Sequence, residues 1–369
     1  MSTAKIALAA GGTGGHMFPA LSLARALAAR GAVPVLFTDA RGAALPADLA
    51  RIETHRVRAG GVASGSALKR LRGAAELAFG VFEARGAMRR LAPAAAVGFG
   101  GYVSVPPLLA AARAGVPTLV HEQNAVLGRA NRLLARRVDR IACSFERVAA
   151  IREADQAKCV HTGNPVRAEI AQLLAEPYAP PGEAIHLLVF GGSQGAAIFS
   201  RVVPEAMARL PSAIKSRLRV AQQCRPEHVE TVAAAYRAYA IQAETRAFFD
   251  DMPRRLAWSH LVVARAGAST TAELACAGRP AILIPYAAAV DDHQTANARA
   301  LVDAGGAWLL TEREATPERL ADELARRLTD ASALEAAAVR VRALARPRAA
   351  EALADAVFAL IGPRAKEAA

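Results

Sequence analysis

Cysteine is scarce in this chain of 369 residues, which contains only four. Cys143, Cys159, Cys224 and Cys276 lie too far apart to form a CxxC pair or the Cys/His spacing of a zinc site. The sequence therefore excludes a disulfide-rich secreted fold and a zinc module. It predicts a protein of a reducing compartment with buried thiols.

Long uninterrupted hydrophobic runs are also missing. The apolar stretch after Lys5 soon ends in glycines, so it is too short for the core of a signal peptide. The longest uncharged stretch, 91–112, has the length of a membrane span, but prolines and glycines interrupt it and would break such a helix. We therefore expect neither a signal peptide nor a transmembrane segment.

Three common ligand-binding motifs are absent. The GxGxxG fingerprint is incomplete, because Met17 stands where a third glycine would follow Gly12 and Gly14. This disfavours a nicotinamide oxidoreductase, and the lack of GxxxxGK[ST] excludes a P-loop ATPase. No Asp-x-Asp pair is present to hold a metal ion on a nucleotide diphosphate. We expect neither a metal nor a cofactor.

Negative charge is in deficit, which leaves a formal net charge of +13. Such an excess fits a solvated basic surface, or an anionic partner such as nucleic acid, a membrane surface or a phosphorylated ligand. Nucleic acid is disfavoured, because the chain lacks a basic motif interleaved with aromatic residues. The charge thus leaves a membrane surface and a phosphorylated ligand as the anionic partners to consider.

What the chain does contain is a regular alternation of short apolar runs and longer helical patterns. This alternation predicts an α/β fold with parallel sheets covered on both faces. The predicted strands are 6–10, 33–38, 95–99, 118–121, 140–143 and 159–162, followed by 185–190, 218–222, 260–264 and 281–285.

Two similar segments, KIALAAGGTGGH and IHLLVFGGSQGA, each begin such a series with a strand, a glycine turn and a helix start. They predict two Rossmann-like domains, 1–165 and 166–345, facing across a cleft with ligands at the carboxyl ends of the strands. We expect the C-terminal helix, 346–369, to belong to the first domain. The proline-rich segment 164–184 is interpreted as an interdomain linker.

Each glycine turn suits an anionic ligand. Glycine lets the backbone approach a ligand closely, and the helix that follows presents free N–H groups and a partial positive charge. Such a site suits a phosphate or a developing alkoxide. His16 closes the first turn, where it either caps the helix or supplies an imidazole for binding or proton transfer.

Two further polar segments accompany predicted strands. HEQN, 121–124, comes just past a strand, where four polar residues indicate a site. RAGASTTAELACAG, 265–278, forms another loop-to-helix turn, in which Ser269, Thr270 and Thr271 are possible N-caps. Glu273 either complements the helix dipole or accepts hydrogen bonds from both hydroxyls of a ribose.

Eight blocks in order carry a family resemblance: GGTGGH, GGYVSVP, HEQN, GNPVR, GGSQGA, FFDDM, RAGASTTAE and DDHQTANA. Together they resemble family 28 of the glycosyltransferases, and in particular its transferases that add N-acetylglucosamine to undecaprenyl-diphosphate-linked muramoyl pentapeptide. The resemblance covers nearly the whole chain. It implies the GT-B fold and a peripheral position on the cytoplasmic face of the bacterial plasma membrane.

The resemblance also implies that the C-terminal domain binds UDP-N-acetylglucosamine. The glycine loop and Arg167 would hold the diphosphate, the backbone at Phe249 the uracil, Glu273 the ribose and Gln294 the sugar. Phe249 replaces an Ile of relatives, which is harmless for a backbone contact. The implied substrate-binding residues are Thr13, Gly14, Gly15, Asn124, Arg167, Ser193, Gln194, Gly195, Phe249, Ala268, Ser269, Thr270, Thr271, Ala272, Glu273 and Gln294.

The N-terminal domain would then take the lipid-linked acceptor. Segment 69–90 combines apolar and basic residues, as an amphipathic helix with a solvated basic face does. With a lipid-linked substrate it is interpreted as a surface that docks on an anionic membrane. The docking residues are Lys69, Arg70, Arg72, Leu77, Phe79 and Phe82.

The implied reaction is an inverting, metal-independent transfer to the 4-hydroxyl of the muramoyl sugar. The transfer needs a base, for which His16 is the candidate and Glu122 the rival. A related GT-B transferase that glycosylates another lipid, such as diacylglycerol, is the alternative.

Overall fold

A computed structural model of the chain describes residues 4–11, 14–39, 47–60, 67–192 and 195–362. The chain forms two compact units. Unit 1 comprises Met1–Val166 together with Arg348–Ala369, and unit 2 comprises Arg167–Pro347.

The described strands of unit 1 form one parallel sheet of seven strands in the order β3-β2-β1-β4-β5-β6-β7. The chain starts in the middle of the sheet and winds outward in one direction and then in the other. The winding therefore reverses between β1 and β4. The strands are β1 (Lys5–Ala9), β2 (Val33–Thr38), β3 (Thr54–Arg56), β4 (Ala95–Gly98), β5 (Thr118–Glu122), β6 (Arg140–Cys143) and β7 (Cys159–His161).

Helices cover both faces of this sheet, because successive side chains of each strand point to opposite sides and both sets are apolar. In β1, Ile6 and Leu8 join one buried cluster, whereas Ala7 and Ala9 join the other. The helices of this part are α1 (Gly14–Ala29), α2 (Ala67–Leu91), α3 (Val105–Arg113), α4 (Arg129–Ala135) and α5 (Glu153–Gln156), with 3-10 turns at Ala47–Leu49 and Tyr102–Ser104.

Unit 2 repeats the design with a parallel sheet of six described strands in the order β10-β9-β8-β11-β12-β13. Its winding reverses between β8 and β11. The strands are β8 (Ile185–Phe190), β9 (Leu218–Gln223), β10 (Gln242–Arg246), β11 (Leu261–Ala264), β12 (Ala281–Leu283) and β13 (Ala307–Leu309).

The core of unit 2 lies between this sheet and the helices around it. Leu187 and Val189 of β8 pack with Phe199, Val203 and Leu320 of the covering helices. The helices are α6 (Ala168–Gln172), α7 (Ala197–Ala208), α8 (Ser212–Lys215), α9 (Val229–Ala238), α10 (Met252–Trp258), α11 (Ala268–Ala277), α12 (His293–Asp303), α13 (Pro317–Leu328) and α14 (Ala331–Ala343), with 3-10 turns at Leu173–Ala175, Pro226–His228 and Val290–Asp292.

The last helix, α15 (Ala349–Ile361), returns to unit 1. Its buried residues Leu353, Ala354 and Val357 join the cluster that contains Leu8 and Leu23, and α15 packs against α1. One face of the unit 1 sheet is therefore covered by the first described helix, α1, and the last, α15, together.

All ten predicted strands are present, and their ends differ from the prediction by at most two residues. Three described strands were missed: β3, β10 and β13. Each lies at an edge of its sheet. An edge strand is partly solvated, so its sequence need not be an apolar run. QAETR of β10 is the clearest example.

The interpretation of 164–184 as a linker is wrong for much of its length. Residues 168–172 form α6, and Ile170 and Leu173 are buried within unit 2. Helix α6 packs against α11. The prolines in this segment suggested a flexible connection, but its apolar residues are spaced for a helix that closes unit 2.

Candidate active site

The candidate site residues gather at the two places where the winding of a sheet reverses. In parallel sheets, ligands bind at such points, beyond the carboxyl ends of the strands. In unit 1, His16 lies in the first turn of α1, which follows β1, and the loops after β4 and β5 carry Gly100 and Gln123. In unit 2, the loop after β8 leads into α7 and the loop after β11 leads into α11. Each unit therefore has its own candidate site.

His16 lies in the first turn of α1, after Gly14 and Gly15. A Cβ atom added to Gly100 would lie 3.2 Å from Cε1 of the His16 ring, and the φ of +83° at Gly100 is strained for any other residue. The His16 Nδ1 atom lies 3.2 Å from Oε1 of Gln123. The His16 ring thus lies beside the residues that follow β4 and β5. Thr13 lies outside the described residues.

HEQN overlaps β5 by one residue more than the predicted strand 118–121. His121 and Glu122 are the last two residues of β5, and only Gln123 and Asn124 lie past its end. His121, Glu122 and Gln123 are buried, and each has hydrogen-bond partners. Burial lowers the pKa of His121 to about 4, so this imidazole is neutral at pH 7.

Glu122 is surrounded by donors. Its Oε1 accepts from the main-chain N–H of Asn124 at 2.9 Å and from the Asn124 side chain at 3.2 Å. Its Oε2 accepts from the N–H of Gly128 and from Nδ2 of Asn131, both at 2.8 Å. Both oxygens are thus engaged in holding the loop that follows β5. This geometry favours a structural role over the role of rival base.

In unit 2, the glycine loop between β8 and α7 is shaped by its main chain. A Cβ atom at Gly191 would lie 2.3 Å from the nitrogen of Ala196, and Gly192 and Gly195 have φ values of +82° and +66°. Only glycine tolerates these positions. Ala196 precedes α7 without a side-chain cap, so the helix N-terminus is left to other partners. Ser193 and Gln194 lie outside the described residues.

The turn before α11 corrects the predicted N-caps. Gly267 is the N-cap residue and provides no side-chain cap. Ser269, Thr270 and Thr271 are inside the helix, and Oγ1 of Thr271 donates to the carbonyl of Ala268. A turn through Gly267 therefore leaves the first N–H groups of α11, from Ala268 onward, without a side-chain acceptor from the cap position.

Glu273 of α11, which follows Ala272, faces Arg167. The two side chains form an ion pair with 3.4 Å between Nη2 of Arg167 and Oε1 of Glu273. Burial raises the pKa of the Glu273 carboxyl, and the guanidinium opposes that rise. Two residues that the resemblance implied for donor binding are thus neighbours, with opposite charges.

Arg265 and Glu312 hold the loop that follows β12 beside the turn before α11. Neither residue was singled out from the sequence. Nη1 of Arg265 donates to the carbonyls of Ile284 and Pro285 and to Oε2 of Glu312. The position of Arg265 at the end of a predicted strand was the available signal. Gln294 of α12 holds the same region, because its Oε1 accepts from the N–H of Tyr286 at 2.9 Å.

The aromatic pair in FFDDM has two different environments. Phe249 is buried, and the Arg255 guanidinium lies 4.7 Å from the centre of its ring. Phe248 is exposed. With its side chain buried, Phe249 has only main-chain atoms to offer a ligand.

Segment 69–90 is helical, within α2, but not all of its predicted docking residues are at the surface. Leu77 is buried in the unit 1 core, so its assignment to a docking surface is wrong. Phe79 and Phe82 are 63% and 77% exposed. Arg72 pairs with Glu76, and the side chains of Lys69 and Arg70 lie outside the described residues.

Within the described ranges, no group of three or more His, Cys, Asp or Glu side chains is arranged to hold a metal ion. Among the helices of the same ranges, none combines the length and apolar character that a membrane crossing requires.

Two family profiles match the chain. The glycosyltransferase family 28 N-terminal domain matches residues 6–143, and the family 28 C-terminal domain matches residues 186–353. They fall on unit 1 and unit 2 respectively.

Individual proteins agree with the profiles. The UDP-N-acetylglucosamine–N-acetylmuramyl-(pentapeptide) pyrophosphoryl-undecaprenol N-acetylglucosamine transferase of Paramagnetospirillum magneticum is 55% identical, covering 94% of this chain and 95% of that protein. The crystal structure of MurG from Acinetobacter baumannii has a TM-score of 0.78 at 30% identity, covering 96% of this chain and 99% of that one. The kitacinnamycin glycotransferase shares the fold, with a TM-score of 0.74 at 18% identity.

The predicted fold class is confirmed, since two parallel α/β units and glycosyltransferase neighbours of this kind define the GT-B fold. From its matched halves, its identity to these transferases and its fold, the chain belongs to glycosyltransferase family 28 and is a glycosyltransferase.

Proposed function

We propose that the chain transfers N-acetylglucosamine from UDP-N-acetylglucosamine to the 4-hydroxyl of undecaprenyl-diphospho-N-acetylmuramoyl-pentapeptide (lipid I), forming lipid II. One observation carries the proposal. In this chain, which is 55% identical to a transferase named for that reaction, α7 and α11 of unit 2 both begin without side-chain caps. Both helices start beyond the adjacent strands β8 and β11.

The donor is assigned to unit 2. Two helix N-termini beyond the carboxyl ends of adjacent strands favour a diphosphate, because each offers N–H groups and a partial positive charge. We assign the diphosphate to the loop Gly191–Gly195, with its Ser193 and Gln194, and to Arg167. Glu273 accepts hydrogen bonds from the ribose hydroxyls, the main chain of Phe249 contacts uracil, and Gln294 contacts the N-acetylglucosamine. From unit 1 we assign Thr13, Gly14, Gly15 and Asn124 to donor binding.

The reaction exchanges one bond at the anomeric carbon for another. The acceptor oxygen forms a bond to that carbon as the bond to the diphosphate oxygen breaks, so the configuration inverts and UDP leaves. Negative charge grows on the diphosphate, and the two helix N-termini and Arg167 stabilise it. These groups replace the metal ion that other nucleotide-sugar sites employ, so we expect no metal requirement.

His16 is assigned as the base that removes the proton of the acceptor hydroxyl. The carboxylate of Glu122 is engaged by four donors, which supports His16 over Glu122. Replacing His16 with Ala is expected to lower kcat by about 10²- to 10⁴-fold while UDP binding persists. Near-normal turnover at saturating acceptor would contradict this assignment.

The acceptor side and the membrane are assigned to unit 1. Phe79 and Phe82 are exposed aromatic rings on α2, whose last turn contains Arg89 and Arg90. Each basic residue near anionic lipid contributes about 1 kcal/mol of attraction. We propose that this helix places the enzyme on the cytoplasmic leaflet, where a lipid-linked acceptor resides.

The test is incorporation of labelled N-acetylglucosamine from UDP-N-acetylglucosamine into a short-chain analogue of lipid I, with EDTA present. The proposal predicts product and free UDP in equal amounts. Incorporation into diacylglycerol but not into the muramoyl lipid would shift the assignment to the alternative acceptor. Loss of activity in EDTA that Mg²⁺ restores would refute the metal-free step.

A further inference from the structure

We infer that Gln123 sets the tautomer of His16, so that the neutral imidazole carries its proton on Nδ1 and its lone pair on Nε2. Gln123 is then a positioning residue for proton transfer. The catalytic meaning of this inference rests on the proposed function, in which His16 is the base. The tautomer itself follows from hydrogen-bond directions within unit 1.

The orientation of the Gln123 amide is determined by main-chain carbonyls. Its Nε2 lies 3.0 Å from the carbonyl oxygen of Phe99 and 3.2 Å from that of His121. A carbonyl oxygen only accepts, so the group that faces it must be the NH₂ group. The oxygen of the amide is therefore the atom that faces His16.

The contacts of His121 independently require the same orientation of the Gln123 amide. Its Nε2 lies 3.1 Å from the carbonyl oxygen of Gly163, so this nitrogen carries the proton. In the neutral ring Nδ1 is then an acceptor, and it lies 3.1 Å from Nε2 of Gln123. Because burial keeps this ring neutral, the Gln123 NH₂ group again has an acceptor in front of it.

The consequence at His16 follows from the amide oxygen. Oε1 of Gln123 can only accept, so the Nδ1 of His16 at 3.2 Å must donate. A neutral imidazole has one N–H, which assigns the lone pair to Nε2. When His16 takes up a proton on Nε2, the Nδ1–H bond to Gln123 remains. The amide thereby plays, without a charge, the orienting part that a carboxylate plays in a catalytic triad.

Main-chain carbonyls anchor this chain of contacts at both sides. Phe99 follows β4, and Gly163 follows β7 shortly after Cys159–His161, so the tautomer is tied to the ends of the sheet rather than to a surface loop. Gly100 and Gly101 flank the ring, where Cβ atoms would lie 3.2 Å from Cε1 and 3.5 Å from Cδ2 of His16. Glycine at these two positions therefore leaves the room that the ring occupies.

The direct test is nitrogen NMR of the protein labelled with ¹⁵N-histidine, at a pH well above the ordinary pKa of histidine. We expect the His16 resonances of a ring protonated at Nδ1 and bare at Nε2, with a His16→Ala sample for assignment. A His16 ring protonated at Nε2 in the wild type would overturn the inference. This measurement requires neither substrate nor a variant of Gln123.

Three variants connect the tautomer to catalysis. Gln123→Met keeps the length of the side chain without its amide, and we expect the Nδ1–H tautomer to be depleted and kcat to fall about 10²-fold with little change in KM for the donor. Gln123→Glu in its protonated form can donate to the carbonyl of Phe99 and keep an acceptor toward His16, so it should restore the Nδ1–H form. Gln222→Met is the matched control, since Gln222 is a buried amide of unit 2 that donates to the carbonyl of Phe199.

The outcomes separate this inference from the proposed function. An unchanged tautomer in Gln123→Met would refute the role of Gln123, whatever the activity. An altered tautomer with unchanged kcat would show that Gln123 orients a ring that is not the base, which refutes its role in proton transfer. Absence of all transferase activity in the wild type, with the expected tautomer, would refute the proposed function alone.

Discussion

Replacing Glu122 with Gln tests whether this buried carboxylate holds the structure or reacts with substrate. In the wild type each carboxylate oxygen of Glu122 accepts two hydrogen bonds. The substitution keeps the size of the side chain but replaces one oxygen with an NH₂ group, which cannot accept. Two of the four donors must then lose their partner or move.

The least costly arrangement puts the NH₂ group at the position of Oε2. There Asn131 can rotate, because its Oδ1 is buried and has no hydrogen-bond partner among the described residues. The N–H of Gly128 is left unpaired, and Asn131 gives up its 3.2 Å bond to the His121 carbonyl. Hydrogen bonds to a charged acceptor contribute about 1.5–3 kcal/mol each, so we expect unit 1 to lose about 3 kcal/mol of stability. Its Tm would fall by roughly 6–12 °C.

Calorimetry and circular dichroism measure the transition of unit 1. Tryptophan fluorescence reports the other unit, because Trp258 and Trp308 both lie in unit 2. Glu83→Gln is the control, since Glu83 forms a surface ion pair with Arg58 that contributes at most about 1 kcal/mol. For the folded Glu122→Gln variant we expect kcat within about tenfold of the wild type, well short of the loss that removal of a base causes.

The opposite pattern would refute the reasoning. If Glu122→Gln kept its Tm but lost about 10²-fold or more in kcat, the carboxylate would act on the substrate.

Three further changes are expected to act on one property each. Gly191→Ala forces a Cβ into the main chain of the glycine loop and should abolish UDP binding in calorimetric titration, whereas Gly182→Ala, where a Cβ meets nothing within 4 Å, should leave it intact. Phe82→Ser should weaken binding to anionic vesicles at least tenfold, since burying such a ring is worth about 1.5–3 kcal/mol, and should leave Tm unchanged; equal vesicle binding would contradict the docking assignment. In Arg167→Met the pKa of Glu273 should rise further, because the cation that lowers it is gone. Relative to the wild type, the variant should therefore lose stability as the pH rises through that pKa and match it at acidic pH; a carboxyl titration by NMR that shows no rise would refute the coupling.

The interior of both sheets could be predicted from the sequence, but three of their four edge strands could not, β7 being the exception. Buried parallel strands such as Ile185–Phe190 are apolar on both faces, so they appear as unbroken runs. Thr54–Arg56 and Gln242–Arg246 are paired on one side only and carry polar residues. These strands form by pairing with strands that lie elsewhere in the sequence, and a local sequence pattern carries no information about that pairing.

The candidate site was predictable where glycine and strand ends coincide, and less so where roles depend on partners. His16 follows the glycine turn after β1 and Glu122 ends β5, and from the sequence both were polar candidates near predicted strand ends that could not be ranked. The difference arises from Asn124, Gly128 and Asn131, which surround one carboxylate. Leu77 was assigned to the membrane surface because a helical pattern does not reveal which residues of a long helix face its own core.

The return of the last helix to the first unit has a consequence for biosynthesis. Chains emerge from the ribosome in order, and domains generally fold as units during synthesis. Unit 2 is continuous, so its core can close as soon as Arg167–Pro347 has emerged. Unit 1 begins earlier but lacks Leu353, Ala354 and Val357 over the face formed by Leu8 and Leu23 until α15 arrives. Of the two units, the one that begins earlier in this chain is therefore completed later, and its nascent form carries an apolar face that chaperones would shield.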